Sequence, residues 1–241
     1  MAERQILTAR LRRTVDLSER TKHLEFEVEE KPRFDFIAGQ FISMKAIRLS
    51  DQREITRAYS IASPPRDDNT FDLCLNRVEE GFFSNHLCDL PVGGEVKFHG
   101  PHGYFLLKNP LRDSILIATG TGIAPMRGML EWLFRDDARH AGRQLWLVFG
   151  SRFQRDIYYH DEFEQMAREH PNFHYIATLS RGGEEWKGLR GYVQEQVREI
   201  ARGRTDMDAY ICGLEKMVTA NRTMLLEMGW DKKSVVFERF D

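Results

Sequence analysis

Cysteine is scarce in this chain: Cys74, Cys88 and Cys212 are the three in 241 residues. An odd, scattered set without a CxxC pair excludes a disulfide framework and the ligand spacing of an iron–sulfur cluster. Charge of one sign is lacking too, since 35 basic and 37 acidic residues leave a formal net charge of -2. That excludes the basic excess of a dedicated nucleic-acid binder. No apolar run approaches the roughly 18 residues of a membrane-crossing helix. The eight histidines are spread out; His99 and His102 flank a turn, His160 neighbours an acidic pair, and no metal spacing emerges. Met1–Arg13 is charged and has no apolar core, so no signal peptide is read and a reducing, cytoplasmic setting is expected.

What is present changes character near Pro110. Before it, short runs alternate apolar and polar residues between Pro, Gly and Asp clusters: Arg4–Asp16, Thr21–Val28, Gly39–Met44, Ile55–Ala62, Phe71–Val78 and Glu95–His99. Many short strands of this kind predict an antiparallel barrel or sandwich. After it, apolar runs at Ser114–Ala118, Leu145–Phe149, Phe173–Ser180, Met207–Cys212 and Val235–Phe240 read as buried strands. Helical spacing falls between them, over Ala124–Phe134, Asp156–Arg168, Val193–Ala201 and Lys216–Met228. Two domains are therefore expected: an N-terminal antiparallel β-barrel over residues 1–110, and a C-terminal α/β doubly wound parallel sheet over residues 111–241.

The densest chemistry lies in Arg57-Ala58-Tyr59-Ser60. Side chains alternate along a strand, so Arg57 and Tyr59 point the same way. A guanidinium can clamp a diphosphate, a phenol ring can lie on a planar heterocycle, and the Ser60 hydroxyl can meet its edge. A solvated strand face is the plainer alternative. Gly81-Phe82-Phe83-Ser84 precedes a helix-like Asn85–Leu90 and offers N–H groups and a hydroxyl to phosphate, or else a helix capped by Ser84. Thr119-Gly120-Thr121-Gly122 stands between strand and helix, where bare N–H groups can face a pyrophosphate; a tightly packed turn selects the same glycines. Cys212-Gly213 ends another strand, where a thiol either touches a ligand or is buried and inert.

In this order the segments resemble the ferredoxin–NAD(P)H reductase superfamily over nearly the whole chain. The motifs are Gly39-Gln40-Phe41, Arg57-x-Tyr59-Ser60, Gly81-x-x-Ser84, Gly100-Pro101-x-Gly103-x-Phe105, Gly120-Thr121-Gly122-Ile123-Ala124-Pro125, Gly150-Ser151-Arg152, and Cys212-Gly213 with Met217. The resemblance implies that the barrel binds flavin and the second domain a nicotinamide nucleotide. Arg57 would pair with the FAD diphosphate, Tyr59 would stack on the isoalloxazine with Ala58 in the same stretch, and Ser60 would approach the N5 edge. Cys74, Leu75, Asn76 and Arg77 would line the flavin with backbone groups, and Phe82, Phe83 and Ser84 would meet the pyrophosphate. Thr121, followed by Gly122, would sit between flavin and nicotinamide; Cys212, followed by Gly213, would lie near the carbon that delivers hydride. Phe240 is the candidate aromatic over the flavin and Glu238 a candidate for proton movement. Ser60, Cys212 and Glu238 make up the implied catalytic set. A frayed edge strand is the plainer account of that tail.

The implied cofactors are FAD and NADP, or NAD in its place. Ser151-Arg152 and Ser180-Arg181 follow predicted strands, and the second resembles NADP-using members. Trp186-x-Gly188-x-x-Gly191-Tyr192-Val193 instead resembles NADH-using reductases of multicomponent oxygenases. Arg190 is read as a solvated surface residue. The implied activity is that of a ferredoxin–NAD(P)+ reductase-type flavoprotein, with hydride passing between nicotinamide and flavin N5 and a small ferredoxin or flavodoxin as the one-electron carrier. Because the four cysteines of a fused cluster are missing, a separate acceptor is expected. Arg10, Arg12 and Arg13 offer it a basic patch, or form an ordinary solvated face. Three alternatives stay open: an NADH-dependent oxygenase reductase component, a reductase of free flavin, and a flavin-binding electron-transfer subunit without turnover of its own. A diphosphate clamp at Arg57 speaks against the free-flavin reading.

Overall fold

Alternation at a period of two is what the first part of the chain turns into structure. A computed structural model describes residues 5–240; the expected start of the first strand at Arg4 and the terminal Asp241 lie outside the described residues. Six strands form the first sheet: β1 (Leu7–Ser18), β2 (Thr21–Val28), β3 (Phe41–Arg48), β4 (Arg53–Ser60), β5 (Thr70–Asn76) and β6 (Glu95–His102). They pair antiparallel in the order β4-β3-β6-β1-β2-β5. An isolated bridge from Ile61 to Leu73 joins the end of β4 to β5, so the sheet curls back on itself. Its interior is aromatic. Phe34 lies 5.4 Å from Phe71 and 5.6 Å, edge-on, from Phe98. Each buried side chain of this size stabilises the unit by roughly 1.5–3 kcal/mol.

Outward positions carry charge, and most of it is matched. Arg10 pairs with Glu29 and Glu95, and Arg12 pairs with Glu27, so two of the three arginines read as a basic patch are engaged by their own sheet. After β5 comes the short helix α1 (Phe82–Cys88). It begins directly after Gly81, which puts Ser84 inside the first turn and corrects its reading as a helix cap.

The second unit starts at Leu107, while Arg127–Trp132 belong with the first. Its elements are β7 (Ser114–Thr119), a 3-10 turn at Gly120–Gly122, α2 (Ile123–Phe134), α3 (Asp137–His140), β8 (Leu145–Ser151), α4 (His160–Glu169), β9 (Phe173–Leu179), β10 (Leu189–Arg190), α5 (Val193–Ala201), β11 (Asp208–Leu214), α6 (Glu215–Glu227) and β12 (Val235–Phe240). The strands are all parallel, in the order β10-β9-β8-β7-β11-β12. Ile115, Ile117, Ala209 and Ile211 pack against α5 and α6, while Leu116, Ala118, Leu147 and Tyr210 on the opposite face are equally buried. Burial on both faces is why these strands read as unbroken apolar runs. Helix α4 starts four residues later than expected, because Tyr159 takes a left-handed conformation (φ 58°) after a 3-10 turn at Gln154–Asp156.

Asp208, at the foot of β11, is fully buried between cations. Lys108 Nζ approaches it at 2.6 Å and Arg112 Nη2 at 2.5 Å. Burial pushes its carboxyl up, yet the hydrogen bonds from Arg112 and Lys108 outweigh this and hold it below the usual carboxylate range.

Candidate functional site

Strand order in the second sheet reverses between β7 and β11, and two glycines shape that point. A Cβ on Gly122 would stand 2.5 Å from the carbonyl carbon of Cys212. One on Gly213 (φ +138°) would stand 2.5 Å from Thr119 Oγ1. Neither place admits a side chain, so the ends of β7 and β11 meet as bare backbone. Leu214 N–H donates to Thr119 Oγ1 at 3.4 Å across the junction. Around Gly120 (φ +56°) the space is open, since a Cβ there would meet nothing within 4 Å. Helix α2 begins at once, and its cap residue Gly122 supplies no side-chain bond to the first N–H groups. A helix start beside the reversal of an open parallel sheet is where such folds take an anionic ligand.

Cys212 stands in register with Ala118 on β7 and with Glu238 on β12. Burial, and then the negative charge of Glu238, push its thiol well above the ordinary value, so it is held protonated. The sheet edge thus brings Thr121, Gly122, Cys212, Gly213 and Glu238 together. Phe240 lies further along β12, half-buried and opposite Leu214.

Beside this, the Ser-Arg dipeptides at the ends of β8 and β9 form a pair. Ser180 N–H donates to the Ser151 carbonyl and Arg181 N–H to the Arg152 carbonyl, both at 3.0 Å. The Ser151 hydroxyl is engaged by the Asp156 carbonyl at 2.8 Å. Arg152 and Arg181 are exposed, and neither guanidinium has a side-chain partner among the described residues. Arg190 is different. It is exposed, as its surface reading expects, yet its guanidinium also donates to the Gly182 carbonyl, to Gly183 O at 2.7 Å and to Trp186 O at 3.0 Å.

In the first unit, Arg57 faces out from β4 and its guanidinium donates to the Thr56 carbonyl at 2.9 Å, with no acidic partner among the described residues. Ala58 is exposed beside it. Tyr59 is half-buried, its ring 6.0 Å from that of Phe83, and burial raises its phenol far enough to stay neutral. Ser60 is buried at the end of β4. Cys74 and Leu75 are buried on β5, which pairs with β2 on one side and meets Ile61 through the Leu73 bridge on the other. Arg77 turns away to α1, binding Asn85 at 2.9 Å and Asp89 at 2.5 Å. Ser84 Oγ accepts from Val78 N–H at 3.0 Å and donates to Gly81 O at 3.2 Å, so its hydroxyl shapes the turn that presents the Phe82 and Phe83 amides.

One group escaped sequence reasoning. Asp72, 1% exposed, accepts from Arg66 at 2.9 and 2.7 Å and from Arg127 at 3.3 Å. Arg127 also donates to the Ala62 carbonyl at 2.9 Å and so fixes the backbone just past Ser60. No spacing signal marks this network, because Arg127 joins Arg66 and Asp72 from 55 residues beyond Asp72 in the chain.

The family described as "Oxidoreductase FAD-binding domain" matches residues 8–106, and "Oxidoreductase NAD-binding domain" matches residues 116–223. Among named relatives, "Ferredoxin--NADP reductase B" of Sorangium cellulosum is 39% identical over 250 residues, spanning 100% of both chains. The reductase component DmpP of phenol 2-monooxygenase from a Pseudomonas species is 31% identical over 94% of this chain, which spans 63% of that relative's length. Among solved structures, the Amycolatopsis cytochrome P450 reductase GcoB superposes with a TM-score of 0.86 at 26% identity, over 98% of this chain and 70% of that one.

Proposed function

The chain belongs to the ferredoxin–NAD(P)H reductase superfamily of FAD- and NAD(P)-binding oxidoreductases, and on that premise we propose that it moves electrons between NADPH and a separate one-electron carrier, a ferredoxin or flavodoxin. The observation that carries this reading is the pair of exposed arginines, Arg152 and Arg181, whose backbones are hydrogen-bonded at the carboxyl ends of β8 and β9. Two unpaired cations there suit a coenzyme with an extra phosphate. The name of the full-length Sorangium relative supports the carrier class.

The residues fit the two cofactors. In residues 1–110, Arg57 clamps the FAD diphosphate, Tyr59 and Ala58 flank the ring system, and the Ser60 hydroxyl meets its redox-active edge. Backbone groups of Cys74, Leu75, Asn76 and Arg77 line the flavin, and the Phe82 and Phe83 amides, organised by Ser84, face the diphosphate. Bound FAD supplies an acceptor that takes electrons in a pair and passes them on singly. In residues 111–241, the bare turn from Thr119 to Gly122 and the start of α2 receive the coenzyme diphosphate, with Thr121 and Gly213 at the nicotinamide end. Cys212 contributes an uncharged, water-excluding surface, Glu238 holds a proton-exchanging carboxyl beside it, and Phe240 offers an aromatic ring. Among the described residues no helix is long and apolar enough to cross a membrane, and three buried free cysteines suit a reducing, cytoplasmic setting.

The test is the absorption spectrum of the purified protein, then anaerobic mixing with NADPH or NADH, then addition of oxidised ferredoxin. Bound flavin bleached faster by NADPH and reoxidised by ferredoxin is expected. Flavin that neither coenzyme bleaches would sink the proposal. Faster bleaching by NADH would favour the oxygenase-reductase reading, to which the Trp186–Val193 segment points.

A further inference from the structure

The loop between β9 and β10 has a small core of its own. Its ends are pinned where Leu189 and Arg190 pair with Thr178 and Leu179, and where Gly191 N–H donates to Leu179 O at 3.1 Å. Inside it, Trp186 Nε1 donates to Leu189 O at 2.8 Å. A Cβ on Gly188 would collide with the Trp186 ring and one on Gly182 would stand 3.1 Å from it, so both glycines serve as its seat. The Arg190 guanidinium lies against the same loop and donates to the carbonyls of Gly182, Gly183 and Trp186. Short closed loops packed by their own side chains hold one shape, and three charge-assisted bonds to one planar group strengthen that tendency.

Ser180 and Arg181 form the first leg of this loop, directly before Gly182. We propose that Arg190 is a positioning residue: it presets the 180–191 loop, and with it the place of Arg181, and does not itself bind the coenzyme. The geometry supports this in two ways. A guanidinium held by three carbonyls of its own loop is already oriented inward, and a lysine cannot reproduce a planar three-acceptor bond set. The consequence for the coenzyme rests on the function proposed above; the consequence for the loop does not.

Two measurements on the intact chain separate these layers. The first is limited trypsin digestion, reading by mass the cut after Lys187, an exposed residue at the loop's tip. Local opening controls such cleavage. Both Arg190→Ala and Arg190→Lys are expected to speed this cut by about tenfold or more, the loss of charge-assisted bonds, with the rest of the chain resistant as before. The second is equilibrium binding of NADP+ and of NAD+ without turnover. Both variants are expected to weaken NADP+ by about tenfold and NAD+ by less than about threefold, because Arg181 is displaced with the loop, and Arg190→Lys is expected not to restore NADP+.

An unchanged cut after Lys187 overturns the staple. So does a loss confined to NADP+ and rescued by Arg190→Lys, because that pattern marks a direct phosphate contact. Faster cleavage with both affinities intact overturns the positioning role. If the wild type binds neither coenzyme, the proposed function fails, while the trypsin result still decides what Arg190 does in the loop.

Discussion

Arg181 donates its main-chain N–H to the carbonyl of Arg152 at 3.0 Å, so two exposed arginines leave hydrogen-bonded backbone at the sheet's carboxyl edge. An incoming phosphate would meet cationic donors there that no acidic side chain of the described residues engages. Arg181→Ala should therefore weaken NADPH by about tenfold to a hundredfold, the scale of a charge-assisted bond, and leave NADH within about threefold. Titration of each coenzyme into the oxidised protein checks it. Equal losses for both would remove Arg181 from phosphate recognition.

Arg57 projects from β4 with a single bond to its neighbour's carbonyl, so its removal leaves no buried acid stranded. Arg57→Ala should keep the melting temperature of the flavin-free protein while FAD affinity falls by about tenfold or more, again the scale of one charge-assisted contact. Flavin content after gel filtration, beside a melting curve of the stripped protein, reads the two separately. Full retention of flavin would count against the clamp.

The sequence made the architecture readable wherever burial leaves a periodic mark. Thr21–Val28, Val193–Ala201 and Val235–Phe240 form elements with the bounds that their patterns predict. Period two shows in β2 because one face is wet, and unbroken apolarity shows in β7 because both faces are covered. The candidate site was legible as motifs in order, yet what each polar atom touches was not. Ser84 reads as a cap or a phosphate ligand, but its hydroxyl ties Val78 to Gly81. Arg190 reads as a surface residue and is exposed, but the three carbonyls it holds are brought together only by the folded loop. The grouping of Arg66 and Asp72 with Arg127 likewise depends on tertiary folding.

Gly122 lies where a Cβ would collide with the backbone of Cys212 and with Gly213 Cα at 2.7 Å. Backbone cannot swing aside as a side chain does, so Gly122→Ala has to part β7 from β11 or shift the start of α2. Overpacking of this kind destabilises by about 1–3 kcal/mol. Coenzyme affinity should drop with it, while FAD, held by the first unit in the proposed function, should remain bound. Gly120→Ala is the control, since the space there is open and only its positive φ opposes the change. A Gly122→Ala protein with unchanged stability and coenzyme affinity would mean that the junction yields easily and is no rigid cradle.

His23 supplies a pH dependence whose sign can be worked out. Its Nε2 lies 3.8 Å from Asp72, with Arg66 and Arg127 bound to that same carboxylate and Arg13 contributing from β1. Burial is the largest effect and lowers the imidazole to about 4; Asp72 opposes it, and the three arginines reinforce it. Between pH 6.5 and about 4 the unfolded chain therefore binds a proton that the folded chain refuses. Stability must fall as the pH drops through that window and level off, for this group, below about 4. Replacing His23 by Gln removes the titration while keeping a polar side chain of comparable reach. Urea unfolding between pH 7 and 4 should then show a shallower loss in His23→Gln than in the wild type. Identical slopes would mean that His23 takes up its proton in the folded state as readily as in the unfolded one, with Asp72 outweighing burial and the arginines.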